Sequence, residues 1–213
     1  MTMSRRNNQC SEKHTPLSPH KNRIRRNMLR KVGDNTKDII TISHGIFDTC
    51  DALGWQGRIQ ACDIDQGVHN AILFLKEGQN GKPGDYPELK IMQPGFSIQD
   101  TVKHYCRQHG VKNLGVVDVD LAVSVKQCWE ILRPVLETLV KNKYRGKTFL
   151  TFRNGRRDGF GKNAIQARID WLYDKLPKGV IVGSKDLYRS VRLDPNAKRS
   201  VGSAMCIIEL QHT

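Results

Sequence analysis

No run of apolar residues in this 213-residue chain is long enough to cross a bilayer as a helix, which argues against a helical membrane protein. The basic amino terminus lacks the apolar stretch of a secretory signal, so none is expected. Cysteine is sparse and dispersed: Cys10, Cys50, Cys62, Cys106, Cys128 and Cys206 include no CxxC pair. Cys62 and Cys206 fall within strand-like stretches and read as small buried hydrophobes, so a reduced, intracellular protein is the simplest account. Cys10, His14 and His20 lack a fourth ligand and a firm scaffold, and no metal site is expected there. Acids are also scarce, with 21 Asp and Glu against 35 Lys and Arg, a net charge of +14. Such a surface attracts polyanions, and nucleic acid is the expected partner because each neutralised phosphate releases counterions. No internal repeat is present.

The charge is unevenly spread. Up to Val32 the chain holds nine Lys and Arg against the single acid Glu12, an excess of +8. "MTMSRRNNQCSEKHTPLSPHKN" has no hydrophobic periodicity, and residues 1–33 read as a basic, disordered arm. Within it, "RIRRNMLRKV" is compatible with a short basic helix leading into the domain. Arg23, Arg25 and Arg26 are candidate phosphate contacts; a solvated tail is the plainer reading.

From residue 34 to 213 strand-like and helix-like stretches alternate, as in one α/β domain. "DIITIS" (38–43), "RIQAC" (58–62), "ELKIMQ" (88–93), "NLGVVDVDLA" (113–122) and "KTFLTF" (147–152) read as strands. Residues 45–55, 66–78, 97–110, 124–143 and 161–176 carry helical spacing between them. Ser97 and Asp100 are spaced as a cap and Gly110 as a stop, while Pro134 is expected to kink the helix that holds it. "GVIVGS" (179–184) and "SAMCIIEL" (203–210) follow with no helix between them, only the basic stretch 184–202, read as a loop. The expectation is a Rossmann-like, mostly parallel seven-stranded sheet with helices on both faces and an antiparallel last strand.

Ligands of open α/β sheets bind outside the carboxyl ends of the strands. This sequence places there Ser43, His44 and Gly45, then Asp63 and Asp65, then Gln93 to Phe96, then Asp118 and Asp120, then Arg153, Asn154 and Gly155. Asp63 is the candidate ribose ligand, and Asp65 suits the cap of the following helix. Asp118 and Asp120 lie in an apolar run, where an acid is costly unless paired. They suit an active site, a pairing with an arginine of "FRNGRRDG", or a divalent cation held by oxygen ligands, which leaves a metal-dependent nuclease or nucleotidyltransferase open. "FRNGRRDGFGK" (152–162) offers arginine forks for phosphates and Phe rings for bases. Trp55, Trp129 and Trp171 read as core.

The stretches "DIITISHG", "RIQACDID", "LGVVDVDLA", "GKTFLTFRNG" and "GSAMCIIEL" resemble the Rossmann-like S-adenosylmethionine-dependent methyltransferases over about residues 36–211. Within that superfamily the chain is most similar to ribose 2′-O RNA methyltransferases, through "ACD", "VVDVDLA" and the basic stretch before the last strand. The resemblance implies S-adenosylmethionine as cofactor over Ser43, His44 and Gly45, with Asp63 on its ribose and Phe96 near its adenine. It implies Asp120 as the catalytic acid of a Lys-Asp-Lys-Glu set, with Asp118 and Arg153 beside it. It also implies a nucleic acid substrate, RNA in preference to DNA, held by Arg156, Arg157, Lys162, Arg189, Lys198 and Arg199 as well as by the arm.

The sequence departs from that pattern in four places. "TISHGIF" has one glycine, with His44 where a small residue is expected because backbone must approach the cofactor closely. Thr151 replaces the fifth-strand lysine, with Arg153 nearby. Gly202 or Ser203 replaces the last-strand glutamate. Lys31 or Lys37 is a weak candidate for the first lysine. "DLAV" lacks both the (N/D)PP(Y/F) motif of amino-group DNA methyltransferases and the Pro-Cys pair of cytosine C5 enzymes. The alternative is a methyltransferase-like fold without catalysis, serving to bind nucleic acid or a protein partner.

Overall fold

The computed structural model describes residues 19–42, 46–63, 66–77, 84–95, 97–121, 123–154, 159–160, 164–192 and 201–213. Seven strands, β1 (Asp38–Thr41), β2 (Arg58–Ala61), β3 (Lys90–Ile91), β4 (Leu114–Asp120), β5 (Lys147–Arg153), β6 (Val180–Arg192) and β7 (Val201–His212), form one sheet in the order β3-β2-β1-β4-β5-β7-β6. Neighbouring pairs from β3 to β5 are parallel, and β7 runs antiparallel between β5 and β6. Every residue of β1 is buried, and so is all of β4 up to Val119, as expected of strands covered on both faces.

Alternation along the strands sorts the core into two layers. On one face Ile39, Ile59, Val116, Phe149 and Ile207 meet α1 (Pro19–Arg30), α2 (Phe47–Asp51) and α3 (Gln66–Glu77). On the other, Ile40, Val117, Val119, Leu150 and Ile208 meet α4 (Ile98–His109), α5 (Val125–Lys141) and α6 (Ile165–Tyr173). Ser97 caps α4 by accepting from the Asp100 N–H, and Gly110 ends it with φ at +66°. Pro134 lies within α5. Trp55 and Trp129 are buried, and Trp171 packs against the core. Cys50, Cys62, Cys106, Cys128 and Cys206 are free and buried.

Two expectations are corrected. The domain begins before residue 34, because α1 buries Ile24, Met28 and Leu29 in the core. Its apolar side chains are too few to stand out among the arginines, yet they close one face of the sheet. The stretch 184–202 is not one loop: β6 continues to Arg192 and β7 begins at Val201, with Arg189 paired to Ala204. Cross-strand hydrogen bonding overrides the polar composition there.

β7 carries a group with a pH signature. His212 is buried beside the Tyr144 ring and shares a 3.0 Å hydrogen bond with Thr148. Burial lowers its pKa from 6.5 to about 4. The unfolded chain therefore binds a proton that the folded chain refuses, and stability falls as pH drops through the window from 6.5 to about 4. Urea denaturation against pH should show this fall, and His212→Gln should flatten it. Glu209 titrates lower: burial opposes its ionisation, but hydrogen bonds from Lys147, Gln211 and Ser184 hold it at about 2. The stability it confers is present above the ordinary value of 4.5 and is lost as pH falls from there through about 2, so its window lies below that of His212.

Candidate active site at the carboxyl edge of the sheet

The strand order reverses between β1 and β4, and a crevice opens at such a switch point beyond the carboxyl ends of the strands. Asp118 and Asp120 stand two residues apart at the end of β4, so their side chains leave the same face, the one that α1 covers. Asp118 is buried and accepts from Thr41 Oγ1 of β1 at 3.0 Å and from Arg25 Nη2 of α1 at 3.1 Å. Asp120 accepts from the same Arg25 nitrogen and from Lys21 Nζ, each at 2.7 Å. Lys21 and Arg25 are one helical turn apart, which brings both cations over the two acids. Two positive and two negative side chains thus neutralise each other in a nearly dry setting.

The surroundings shift each group. Burial and the neighbouring Arg25 guanidinium lower the Lys21 pKa, against the pull of Asp120. Burial raises the Asp118 carboxyl, against the opposing pull of Arg25. Burial also disfavours the charge on Arg25, but Asp118 and Asp120 outweigh it and hold the guanidinium ionised. Tyr188 of β6 lies beneath Lys21, whose Nζ is 5.7 Å from the ring centroid. The buried Thr151 side chain at the end of β5 faces the same small space as Arg25 and Asp118.

Asp63 follows β2, one strand from the switch point. Its N–H donates to the Gly95 carbonyl at 2.9 Å, and its own carbonyl bonds the His69 ring. Gly95 in turn donates to the Ala61 carbonyl and forms a parallel bridge with Cys62. A Cβ at Gly95 would lie 2.0 Å from Thr101 Oγ1, so only glycine lets α4 approach this corner. Asp63 is half-buried, and these two bonds anchor its backbone.

Several sequence expectations change here. Arg25 is not a surface phosphate contact; it is 4% exposed and serves the acids of β4, whereas Arg23 and Arg26 face outward. Among the described residues these acids meet Arg25 and Lys21 of α1; Arg156 and Arg157 of "FRNGRRDG" lie outside the described residues. Arg153 is exposed at the tip of β5, and its N–H donates to the Val123 carbonyl. Phe152 is wholly buried, and Phe160 packs edge-on against Trp171 with its ring near Lys126 and Arg168, so these rings are engaged in packing. Lys31 bonds Ser184 and Lys37 reaches the Lys112 carbonyl, both at the amino edge; Lys21 is the lysine that meets Asp120. Ser43, His44, Gly45, Asp65, Phe96, Gly155, Arg156, Arg157, Lys162, Lys198 and Arg199 lie outside the described residues, as does the Arg189 side chain. Lys21 was not singled out from the sequence, although its spacing from Arg25 marks one helix face.

No protein-family profile and no curated protein sequence matches the chain. Solved structures do match. A candidate RNA methyltransferase from Pyrococcus horikoshii aligns with TM-score 0.54 at 12% identity, covering 91% of this chain and 83% of the other. The 16S rRNA methyltransferase RmtF, in complex with S-adenosyl-L-homocysteine, aligns with TM-score 0.52 at 11% identity, covering 92% of this chain and 63% of RmtF. The branched-chain polyamine synthase of Thermus thermophilus, in complex with 5′-methylthioadenosine, aligns with TM-score 0.58 at 10% identity, covering 92% of this chain and 56% of the synthase. Sheet order and these alignments agree that the chain has the α/β fold of the Rossmann-like methyltransferases.

Proposed function

We propose that the protein is an S-adenosylmethionine-dependent methyltransferase acting on nucleic acid, RNA in preference to DNA. The observation that carries the reading is the sheet order, with Asp63, Asp118 and Asp120 gathered around its switch point. Among the described residues the one suited to the cofactor is Asp63, a half-buried acid on an anchored backbone, able to accept from the vicinal hydroxyls of a ribose. Bound there, the cofactor would supply an electrophilic methyl group on sulfur. Ser43, His44, Gly45 and Phe96 are the further residues proposed to line it.

In this reading the chain's own part is positioning, which supplies most of the gain in a direct displacement. Asp120, held by Lys21 and Arg25, orients the target nucleophile. Lys21, 2.7 Å from Asp120, is the group proposed to exchange a proton with the nucleophile; burial and Arg25 lower its pKa in the direction of that role. Asp118 and Thr41 keep Arg25 in place beneath. Arg153, exposed at the tip of β5, together with Arg23, Arg26, Arg156, Arg157, Lys162, Arg189, Lys198 and Arg199, would face the polyanion. A non-catalytic nucleic-acid binder is the second reading, favoured by one observation: both β4 acids already carry counter-charges from α1.

Calorimetric titration with S-adenosylmethionine and with its demethylated product tests the reading, followed by transfer of labelled methyl to pooled RNA and pooled DNA. Saturable binding with label entering RNA is the expected result. A folded protein that binds neither compound overturns it and leaves the non-catalytic binder.

A further inference from the structure

A groove of about 580 Å³ opens at the amino edge of the sheet, the end opposite Asp120. It is lined where β1, β4 and β5 begin, by Lys37, Lys112, Gly115, Lys143, Arg145 and Lys147 among others, and no acid lines it among the described residues. Lys147 is already matched, with Nζ 2.6 Å from Glu209, and Lys37 has Asp34 at 3.9 Å. Lys112, Lys143 and Arg145 are exposed on its rim. The floor is built for closeness. A Cβ at Gly146 would come within 2.5 Å of the Gly115 carbonyl, and one at Gly115 within 2.5 Å of the Lys37 side chain. The Tyr144 hydroxyl ties this floor together by donating toward the carbonyls of Gly115 and Lys147.

Lys143 is the informative residue. It follows the Asn142 cap of α5 and adopts φ of +58°, the only positive φ at a non-glycine residue among those described. Glycine is the usual residue just past a helix end because it meets no Cβ penalty in that conformation. A lysine held there against its backbone preference points to a use for its side chain. The groove presents no aromatic side chain among its lining residues, so stacking on bases is not its mode. Cations spaced along an open trough suit the repeated phosphates of a nucleic acid strand.

We infer that this groove is a second nucleic-acid contact surface, which holds the phosphate backbone through Lys112, Lys143 and Arg145, independently of base sequence. β4 runs its length between the groove and the acid cluster, a separation of about 20 Å at the usual rise per residue. A polymer engaged at one sheet edge thus has a separate anchoring point at the other.

The test uses fluorescence anisotropy with a fluorescein-labelled, mixed-sequence single-stranded RNA over a salt series. The triple variant Lys112→Glu, Lys143→Glu, Arg145→Glu is compared with Lys103→Glu, Arg107→Glu, Arg133→Glu, which makes the same charge change at exposed positions of α4 and α5. The groove variant should bind at least about tenfold more weakly at low salt, with the salt slope reduced by about two, as expected for three lost phosphate contacts. The α4–α5 variant should change far less. Lys143→Gly should weaken binding while its melting temperature holds or rises, which a purely structural lysine would not do. Equal losses in both triple variants, or no loss in the groove variant, would overturn the inference. Binding is read rather than methyl transfer, so this failure is distinct from failure of the methyltransferase reading.

Discussion

Replacing Arg25 by alanine is expected to cost about 3–5 kcal/mol of folding stability, the penalty for breaking a buried ion pair by removing one partner. The guanidinium is 4% exposed and bonds both Asp118 and Asp120. Without it two carboxylates face each other two residues apart, with Lys21 still bonded to Asp120. The sign of the pH dependence follows. Asp118 is already pushed up by burial, and losing Arg25 raises its folded pKa further above the unfolded value. A group shifted upward favours folding below its unfolded pKa and loses that contribution as pH rises through its folded pKa. The deficit of Arg25→Ala relative to wild type should therefore shrink toward the acid end and be full at neutral pH. Urea melts of both proteins across that range check it. A deficit that does not change with pH would show that the lost packing of α1, rather than the charge pair, is responsible. Lys21→Met should cost less, because the lysine is more exposed and meets one acid.

Asp63→Ala is expected to weaken S-adenosylmethionine binding by about 10–100-fold, the worth of a charge-assisted hydrogen bond. The fold should survive. The Asp63 backbone is held by the Gly95 carbonyl and the His69 ring, neither of which uses the deleted carboxylate. Calorimetry supplies the affinity and circular dichroism the fold. An affinity within about twofold of wild type would remove Asp63 from the cofactor site, since that difference is well below the worth of one such bond. Asp63→Asn should fall between the two, because an amide still accepts a hydrogen bond but brings no charge.

The elements were legible because their signals are local. "NLGVVDVDLA" is apolar without a break until its acids, and it forms the fully covered strand β4. Ser97, Asp100 and Gly110 bracket α4 where their chemistry says a helix starts and stops. Composition alone shortens the hairpin, because the outer part of β6 is polar and basic and β7 opens on Val201 and Gly202. Their hydrogen-bond partners across the hairpin, which single-strand composition does not reveal, extend them to Arg192 and Val201.

The sequence by itself determined the alternation of strands and helices, the mostly parallel sheet and the placing of acids at two strand ends. Each follows from spacing over a few residues or from chain connection rules. Only the tertiary structure decided what faces those acids. Lys21 and Arg25 sit in a basic stretch that looks the same whether it is solvated, bound to phosphate or folded inward, and their partners lie more than 90 residues away. The same holds for the amino-edge groove. Lys112, Lys143 and Arg145 carry no local signal in the sequence and converge with Lys37 because three parallel strands begin side by side. A charge acts through space, and its role is set by which other charges the fold brings within a few ångströms of it.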